Sequence, residues 1–216
     1  YTTSPKNIKP FGQSKFFNSS DWLKLVKDLN FNLYPKSLSF STDMNRQYAE
    51  SKIRNNNPEL LSPTRVYVNK TWDWNRKYGL RWDLAKALKI DFNATNKSLV
   101  EETDGVPADN ENWRNTVEES IREFGTNTKY NHAFNLNWSV PINKIPLLDW
   151  TNTTFKYGST YSWTRGPFLL DEGNLNNTIQ NTQNIQLNGT LNFINLYNKS
   201  KFLKKVNSKR PGSGKG

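Results

Sequence analysis

The sequence contains no cysteine and a single histidine, His132, among its 216 residues. The absence of cysteine excludes disulfide bonds, thiol catalysis and zinc sites with thiolate ligands. One histidine cannot form the histidine clusters that hold catalytic metals. We therefore predict neither a metal nor any other cofactor.

Long apolar runs are also missing. No stretch of about 18 apolar residues occurs, so the sequence predicts no transmembrane helix. Hydrophobic residues make up only 34% of the chain and the mean hydropathy is −0.85, yet aromatic residues reach 13%, with 8 Trp. This composition fits membrane β-strands, which show one face to lipid and the other to water. It also fits a soluble carbohydrate-binding β-sandwich, so composition alone leaves both open.

Motifs for catalysis are absent as well. The sequence has no phosphate-binding glycine loop and no nucleophile motif. The carboxylates of Asp83 and Asp91 lie on the polar side of their predicted strands, where pairing with Arg81 and Lys89 across the hairpin is the simpler interpretation. His132 lies on the apolar side of its strand, which favours packing over proton transfer. We expect the protein not to be an enzyme.

The chain is basic, with a net charge of +11 and a pI of about 9.7. Such a charge could serve nucleic-acid binding. However, Lys and Arg are interspersed with Asn, Asp and Glu, and they cluster only at residues 199–210. Scattered charge is typical of solvated surface, so we predict no nucleic-acid partner.

The dominant pattern is a period-2 alternation of apolar and polar residues. From Tyr130 to Ile142 the even positions hold large or apolar side chains, while Asn, Ala and Ser occupy the odd positions as far as Ser139. Five further segments alternate in the same way, at residues 38–49, 66–84, 88–95, 155–163 and 179–193. Residues at i and i+2 would fall on opposite sides of a helix, so these segments are predicted strands. Several reach the roughly 9–11 residues needed to cross a bilayer.

The connections between these segments alternate in length. Four short ones each contain a lysine, and they lie at residues 34–37, 84–88, 141–146 and 197–200. Three longer polar loops lie between them, at residues 55–63, 97–126 and 164–177. Short turns at one end and long loops at the other are typical of outer-membrane barrels. The sequence therefore predicts an all-β fold, an antiparallel transmembrane β-barrel segment from a very large barrel, with short helices in loops.

Two helices are predicted outside the strands. In the loop at residues 97–126, Asp109 can cap a helix that ends before Gly125 and carries apolar residues at helical spacing. Near the start of the chain, Ser20 can cap a helix over residues 21–29. We expect both helices to pack on the barrel or to plug its lumen.

The alternation also predicts which side chains meet the membrane. The residues predicted to face lipid are Leu88, Ile90, Phe92, Phe134, Leu136, Phe155, Leu187, Leu191 and Phe193. The aromatic residues predicted to form belts at the membrane interfaces are Trp72, Trp74, Trp82, Trp138, Trp150, Tyr161 and Trp163. Trp150 breaks the alternation of its strand, so we expect a bulge before it or a side chain that faces the lumen.

Several segments resemble a known family. Residues 72–96 are WDWNRKYGLRWDLAKALKIDFNATN and residues 183–207 are QNIQLNGTLNFINLYNKSKFLKKVN. Together with the turn at residues 141–150 and the strand at 157–163, they are similar to the outer-membrane translocon of the type IX secretion system, the SprA/Sov gliding-motility family of Bacteroidetes. The resemblance implies part of an outer-membrane channel that exports folded proteins from the periplasm to the cell surface.

The resemblance also implies partners. These are translocated cargo proteins, a PorV-like shuttle barrel and a periplasmic plug protein, in addition to the membrane lipids and lipopolysaccharide around the barrel. The family has no catalytic residues to carry over. We interpret the chain as a piece of a longer protein, with a loop and helix segment at residues 1–30, transmembrane β-hairpins at 31–201 and a basic segment at 202–216.

Two alternatives stay open at this point. Another large outer-membrane barrel, such as a TonB-dependent receptor, would show the same pattern of strands and loops. A soluble carbohydrate-binding β-sandwich would use the Trp and Tyr side chains to stack on sugars.

Overall fold

The computed structural model describes residues 1–2, 7–11, 30–52, 66–107, 111–167 and 177–208. Six strands follow each other in chain order, each antiparallel to the next, and they form one open sheet with β1 and β6 at its edges. The strands are β1 (Ser37–Lys52), β2 (Val66–Ala85), β3 (Leu88–Leu99), β4 (Thr126–Val140), β5 (Thr151–Thr164) and β6 (Thr178–Leu191). The prediction of an all-β antiparallel fold is confirmed.

Helices are short and lie outside the sheet. They are α1 (Trp113–Arg122), α2 (Phe193–Lys199), α3 (Lys201–Ser208) and a 3₁₀ helix at Pro141–Lys144. The helix predicted between the third and fourth strands is present as α1, with Asn112 at its N-cap position and Gly125 just beyond its end. Asp109, Ser20 and the helix predicted at residues 21–29 lie outside the described residues.

The pairing register places the alternating side chains on two distinct faces. Leu80 of β2 pairs with Leu38 of β1 and Phe92 of β3, and Phe92 in turn pairs with Phe134 of β4. The apolar face, as this side is called below, includes Leu38, Phe40, Tyr78, Leu80, Ile90, Phe92, Phe134, Leu136, Trp138, Phe155, Tyr157, Ile185 and Leu187. The opposite side, the polar face, includes Ser39, Asp43, Asn75, Lys77, Asp91, Asn93, Asn135, Lys156, Thr160 and Gln186.

Connections of different length lie at opposite ends of the sheet. Two residues, Lys86 and Ala87, join β2 to β3, and residues 141–150 join β4 to β5 at the same end, called here the short-turn end. At the other end, called the long-loop end, β3 ends at Leu99 and β4 begins at Thr126, with the described residues 100–107 and 111–125 between them. The loop predicted at residues 55–63 and most of the loop predicted at residues 164–177 lie outside the described residues, so the segregation of loop length stays a prediction there.

The end of β6 differs from the prediction. The alternation extends a strand through Phe193 and predicts a turn at residues 197–200. In the structure β6 ends at Leu191, and α2 begins at Phe193 and continues through Lys199. Asn192 lies where the strand ends and the helix begins. Its backbone N–H donates to the carbonyl of Trp150 at 2.7 Å, and its side chain accepts from the N–H of Asn195 at 3.1 Å. That side-chain contact caps a helix and competes with continued strand pairing.

Trp150 also differs from the prediction. It lies before β5, which begins at Thr151, so its broken alternation requires neither a bulge nor a lumen-facing strand position. Its indole N–H donates to the carbonyl of Leu147 at 2.8 Å within the connection.

Burial is sparse across the described residues. Their buried hydrophobic side chains are those of Trp74, Ala94, Val100 and Val117. A β-sandwich needs a second sheet packed about 10 Å from the first, and the described residues form a single sheet. The described residues therefore lack the two-sheet architecture of a carbohydrate-binding β-sandwich.

Two glycines allow a test of how the loop after α1 closes against β3. Gly125 has a φ of +69°, and a Cβ there would lie 2.7 Å from the carbonyl oxygen of Leu99, whereas Gly105 has a φ of +79° and no atom within 4 Å of that position. We expect Gly105→Ala to lower the free energy of unfolding by about 1 kcal/mol and Gly125→Ala by about 2–4 kcal/mol. Equilibrium urea unfolding measures both, and equal losses would contradict the close approach.

Candidate functional site

The apolar face is the largest surface feature of the described residues. Its side chains are widely exposed at both edges of the sheet: Phe40 on β1 is 62% exposed and Leu187 on β6 is 68% exposed. Many side chains in the middle strands are half-buried. A contiguous exposed apolar surface of this kind marks a region that contacts lipid or another protein.

The residues predicted to face lipid come together on this surface. Leu88, Ile90, Phe92, Phe134, Leu136, Phe155, Leu187 and Leu191 all lie on the apolar face. Phe193 is the exception, because it belongs to α2. Contact with lipid itself stays a prediction for all of them.

Aromatic side chains stand near both ends of the strands. Trp82, Trp138 and Trp150 lie at the short-turn end, and Tyr161 and Trp163 lie toward the long-loop end. The indole of Trp82 donates to the carbonyl of Asn32 at 2.9 Å. Amphipathic rings with one hydrogen-bonding group suit membrane interfaces. Their positions match the predicted belts, and an interfacial role stays a prediction.

Trp72 and Trp74 have a different environment, because α1 packs over them. Trp74 is 9% exposed and forms a buried cluster with Val100 and Val117, against which Trp72 and two side chains of α1 also pack. The prediction that this helix packs on the sheet is confirmed. The ring of Trp74 is covered by protein on the apolar face, and its place in an interfacial belt stays a prediction.

An ion pair fastens this covering loop to the sheet. The guanidinium of Arg46 on β1 donates to Oε1 of Glu102 at 2.6 Å, and the indole of Trp113 donates to the same oxygen at 2.9 Å. The guanidinium also lies 5.3 Å from the ring centre of Trp72 and 5.4 Å from that of Trp113. Cation–π contacts of this kind add to the ion pair.

Two opposed effects act on the pKa of the Glu102 carboxyl group. Burial raises its pKa, but hydrogen bonds from Arg46 and Trp113, with the positive charges of Arg46 and Lys70, outweigh burial and leave the pKa below its ordinary value. Glu102 therefore stays ionised and paired at neutral pH. Its loop position keeps this charge outside the strands.

Arg76 is a second cation on the apolar face, and it is only 5% exposed. Its guanidinium donates to the Ser98 hydroxyl and to Oδ1 of Asn127, the latter at 3.3 Å. It also lies 4.8 Å from the ring centre of Trp74 and 5.4 Å from that of Phe124. The alternation shows Arg76 only as an interruption, and no sequence signal identifies these partners.

The polar face carries ion pairs and a groove. Arg81 pairs with Asp91 at 2.8 Å across the β2–β3 hairpin, as predicted. Asp83 pairs instead with Lys36 at 3.7 Å, so its predicted partner Lys89 is wrong. A groove of about 350 Å³ on this face is lined in part by Asp43, Lys77, Lys97 and Lys129.

Comparisons with known proteins give no assignment: no protein-family model matches the chain, and no curated protein matches its sequence. Among the helices of the described residues, none has the length and apolar character required to cross a bilayer. Within the same residues no group of three or more His, Cys, Asp or Glu side chains is arranged to hold a metal ion.

The ion pair of Glu102 gives a pH-dependent prediction. A carboxyl group with a lowered pKa in the folded state stabilises the fold above its unfolded pKa of about 4.3, and this contribution is lost as the pH falls through the lowered folded value. We expect Glu102→Gln to lower the free energy of unfolding by about 1–3 kcal/mol at pH 7. The difference between variant and wild type should shrink toward zero as the pH falls well below 4.

Urea unfolding at a series of pH values measures this difference. Glu118→Gln, on the exposed side of α1, is the matched control and should change the free energy of unfolding by less than about 0.5 kcal/mol at every pH. A Glu102→Gln effect that does not change with pH would contradict the ionised pair.

Proposed function

We propose that this chain forms part of the wall of a large outer-membrane β-barrel, the protein-conducting channel through which the type IX secretion system exports folded proteins from the periplasm to the cell surface. In this proposal the apolar face meets lipid and the polar face lines the water-filled interior. The protein acts as a passive conduit and not as an enzyme.

The distribution of charge over the two faces is the observation that carries the proposal. Every charged residue of β3, β4, β5 and β6 lies on the polar face: Lys89, Asp91, Lys97, Lys129 and Lys156. A charged side chain that faces lipid near the bilayer midplane destabilises a barrel by about 2–4 kcal/mol. A soluble sheet open on both faces has no reason to keep one face of four neighbouring strands free of charge.

The edges of the sheet give a second argument. β1 has 16 residues and β6 has 14. Among the described residues, β6 pairs along one side only, and the outer side of β1 meets only Tyr1 and Thr2, next to Leu38 and Ser37. β6 contains no charged residue and no proline, which are the devices that soluble proteins use to protect an edge. The long unprotected edge of β6 fits a strand that pairs with a further strand of a larger sheet, because a membrane-spanning sheet must close.

The exposure of apolar side chains at the edge of the sheet supports the same conclusion. On β6, Ile179 is 60% exposed, Ile185 is 66% exposed and Leu187 is 68% exposed. This exposure fits a segment that depends on lipid and neighbouring strands for burial.

Strand length and loop length define an orientation. The strands run from 12 to 20 residues, more than the roughly 9–11 that a tilted strand needs to cross a bilayer. Outer-membrane barrels have short turns in the periplasm and longer loops outside the cell. We therefore assign the short-turn end to the periplasm and the long-loop end, with α1, to the cell surface.

The finer assignment to a secretion channel is supported by the resemblance. The resembling residues 72–96 fall in the β2–β3 hairpin, and residues 183–207 span β6, α2 and most of α3. The proposal includes the partners that the resemblance implies, namely cargo proteins, a PorV-like shuttle barrel, a periplasmic plug protein, and lipids with lipopolysaccharide.

Arginine substitutions on adjacent residues of β4 test the lipid-facing assignment. Leu136 lies on the apolar face, whereas Asn135 lies on the polar face between Asp91 and Gly158, which offer a counter-charge and space. In the protein folded in bilayers, we expect Leu136→Arg to lower the free energy of unfolding by about 2–4 kcal/mol and Asn135→Arg by less than about 0.5 kcal/mol. Leu191→Arg, at the last residue of β6, should have a smaller effect than Leu136→Arg.

A labelling experiment gives an independent measurement. The chain has no cysteine, so each introduced cysteine is unique within it. With the protein in vesicles, a water-soluble maleimide should label Asn135→Cys and leave Leu136→Cys unlabelled, while a lipid-soluble quencher should reach only a probe at position 136. Equal labelling at both positions would contradict a lipid-facing apolar face.

A further inference from the structure

The short turns and the helices after β6 are rich in lysine. The structure gathers lysines at the short-turn end of the sheet, where acidic residues are few. The lysines there are Lys36, Lys86, Lys144, Lys199, Lys201, Lys204 and Lys205, and the acidic residues are Asp83 and Asp149. At the long-loop end, acidic residues outnumber basic ones in the described loops and strand ends. The two ends of one sheet therefore differ in charge.

Two of these lysines flank an apolar cavity. Lys86, in the β2–β3 turn, and Lys144, in the 3₁₀ helix, both line a cavity of about 570 Å³. Its apolar walls include Leu88, Trp138 and Val140. This volume is in the range of small-molecule sites, and two cations beside an apolar wall suit a ligand with an anionic head and an apolar body.

The helices after β6 extend this surface. Phe202 of α3 is 74% exposed and lies between Lys201 and Lys204, while Ile194 of α2 is 66% exposed. Exposed apolar side chains that alternate with lysines are typical of helices that lie at a membrane surface. Lys199 is held in place by Asp149 at 2.7 Å.

We propose that the short-turn end binds anionic phospholipids of the periplasmic leaflet, with one headgroup held between Lys86 and Lys144 and the acyl chains against Leu88 and Trp138. This inference rests on the proposed function, which places this end in the periplasm. Charge complementarity selects the ligand, because the cationic group of a zwitterionic phospholipid offsets the attraction of its phosphate to the two ammonium groups, whereas an anionic phospholipid carries no such cation.

The test measures lipid affinity by native mass spectrometry of the purified full-length protein in neutral detergent. The probe is dioleoyl phosphatidylglycerol, compared with dioleoyl phosphatidylcholine. The variant Lys86→Gln/Lys144→Gln should weaken phosphatidylglycerol binding roughly 30-fold, about 5-fold for each lysine. The control Lys77→Gln/Lys129→Gln removes the same charge from the polar face and should keep the affinity within about 2-fold of wild type.

Several results would overturn the inference. An equal loss in both double variants would indicate non-specific attraction, and no loss in either would remove the site. Displacement of phosphatidylglycerol by inorganic phosphate would indicate a simple anion site, and stronger binding of lipopolysaccharide at these lysines would place this end at the cell surface.

A separate measurement distinguishes failure of the inference from failure of the proposed function. The wild-type protein should insert into vesicles of phosphatidylcholine alone and protect its strands from protease. Failure to insert into any vesicle would reject the barrel, whereas insertion without a preference for phosphatidylglycerol would reject only the lipid site.

Discussion

The antiparallel backbone ladder holds the large apolar side chains of six strands on one side of the sheet. Because side chains alternate every residue, a slip of one position between two strands would turn one apolar row to the opposite face. Cross-strand contacts help to fix the register, since few hydrophobic side chains in the described residues are buried. Ring contacts between neighbouring strands, such as Phe40 with Tyr78 at 5.3 Å and His132 with Tyr161 at 5.2 Å, contribute to this selection.

Among the described residues, the same ladder leaves hydrogen-bonding groups unpaired along the outer sides of β6 and of most of β1, where only Ser37 and Leu38 meet Thr2 and Tyr1. In water, solvent satisfies these groups, but the edges then template aggregation. In lipid, each unsatisfied group is unfavourable by several kcal/mol, so an open sheet of this length is not a stable end state. Under the proposed function, both edges pair with further strands, and the described sheet is one arc of the wall.

Local patterns in the sequence predict much of this fold. Period-2 alternation depends only on neighbouring residues, so it identifies the strands, the two faces and the loop lengths. Contacts between distant residues are a different matter: Arg46 meets Glu102 across 56 positions, and nothing local to either residue indicates the pair. The burial of Trp74 depends in the same way on where α1 folds back. The end of β6 was missed because apolar spacing in residues 191–197 fits both a strand and a helix, and the cap at Asn192 decides between them.

The exceptions to charge segregation are informative because they share one location. Arg46, Lys70 and Arg76 are cations on the apolar face, and all three lie toward the long-loop end. Each is contacted by the loop or the helix region between β3 and β4: Arg46 by Glu102, Lys70 by the carbonyl of Gly105 at 3.0 Å, and Arg76 by the ring of Phe124. Glu50 and Lys52 of β1 also lie on this face at the long-loop end, where they pair with each other at 3.2 Å. Charge on this face is therefore confined to the long-loop end, and the region between β3 and β4 covers part of it.

Under the proposed function, this arrangement limits how far the lipid-exposed zone extends along each strand toward the long-loop end. On β2 the lipid-exposed zone must end on the short-turn side of Arg76, because a buried cation covered by protein cannot also face lipid. On β4 and β5 it can extend further, to Tyr130 and Trp163, because these strands carry no charge on the apolar face. A boundary that shifts along successive strands is expected for strands tilted about 35–45° from the membrane normal. Because α1 packs on the apolar face, under the proposed function it borders the membrane zone and does not plug the interior.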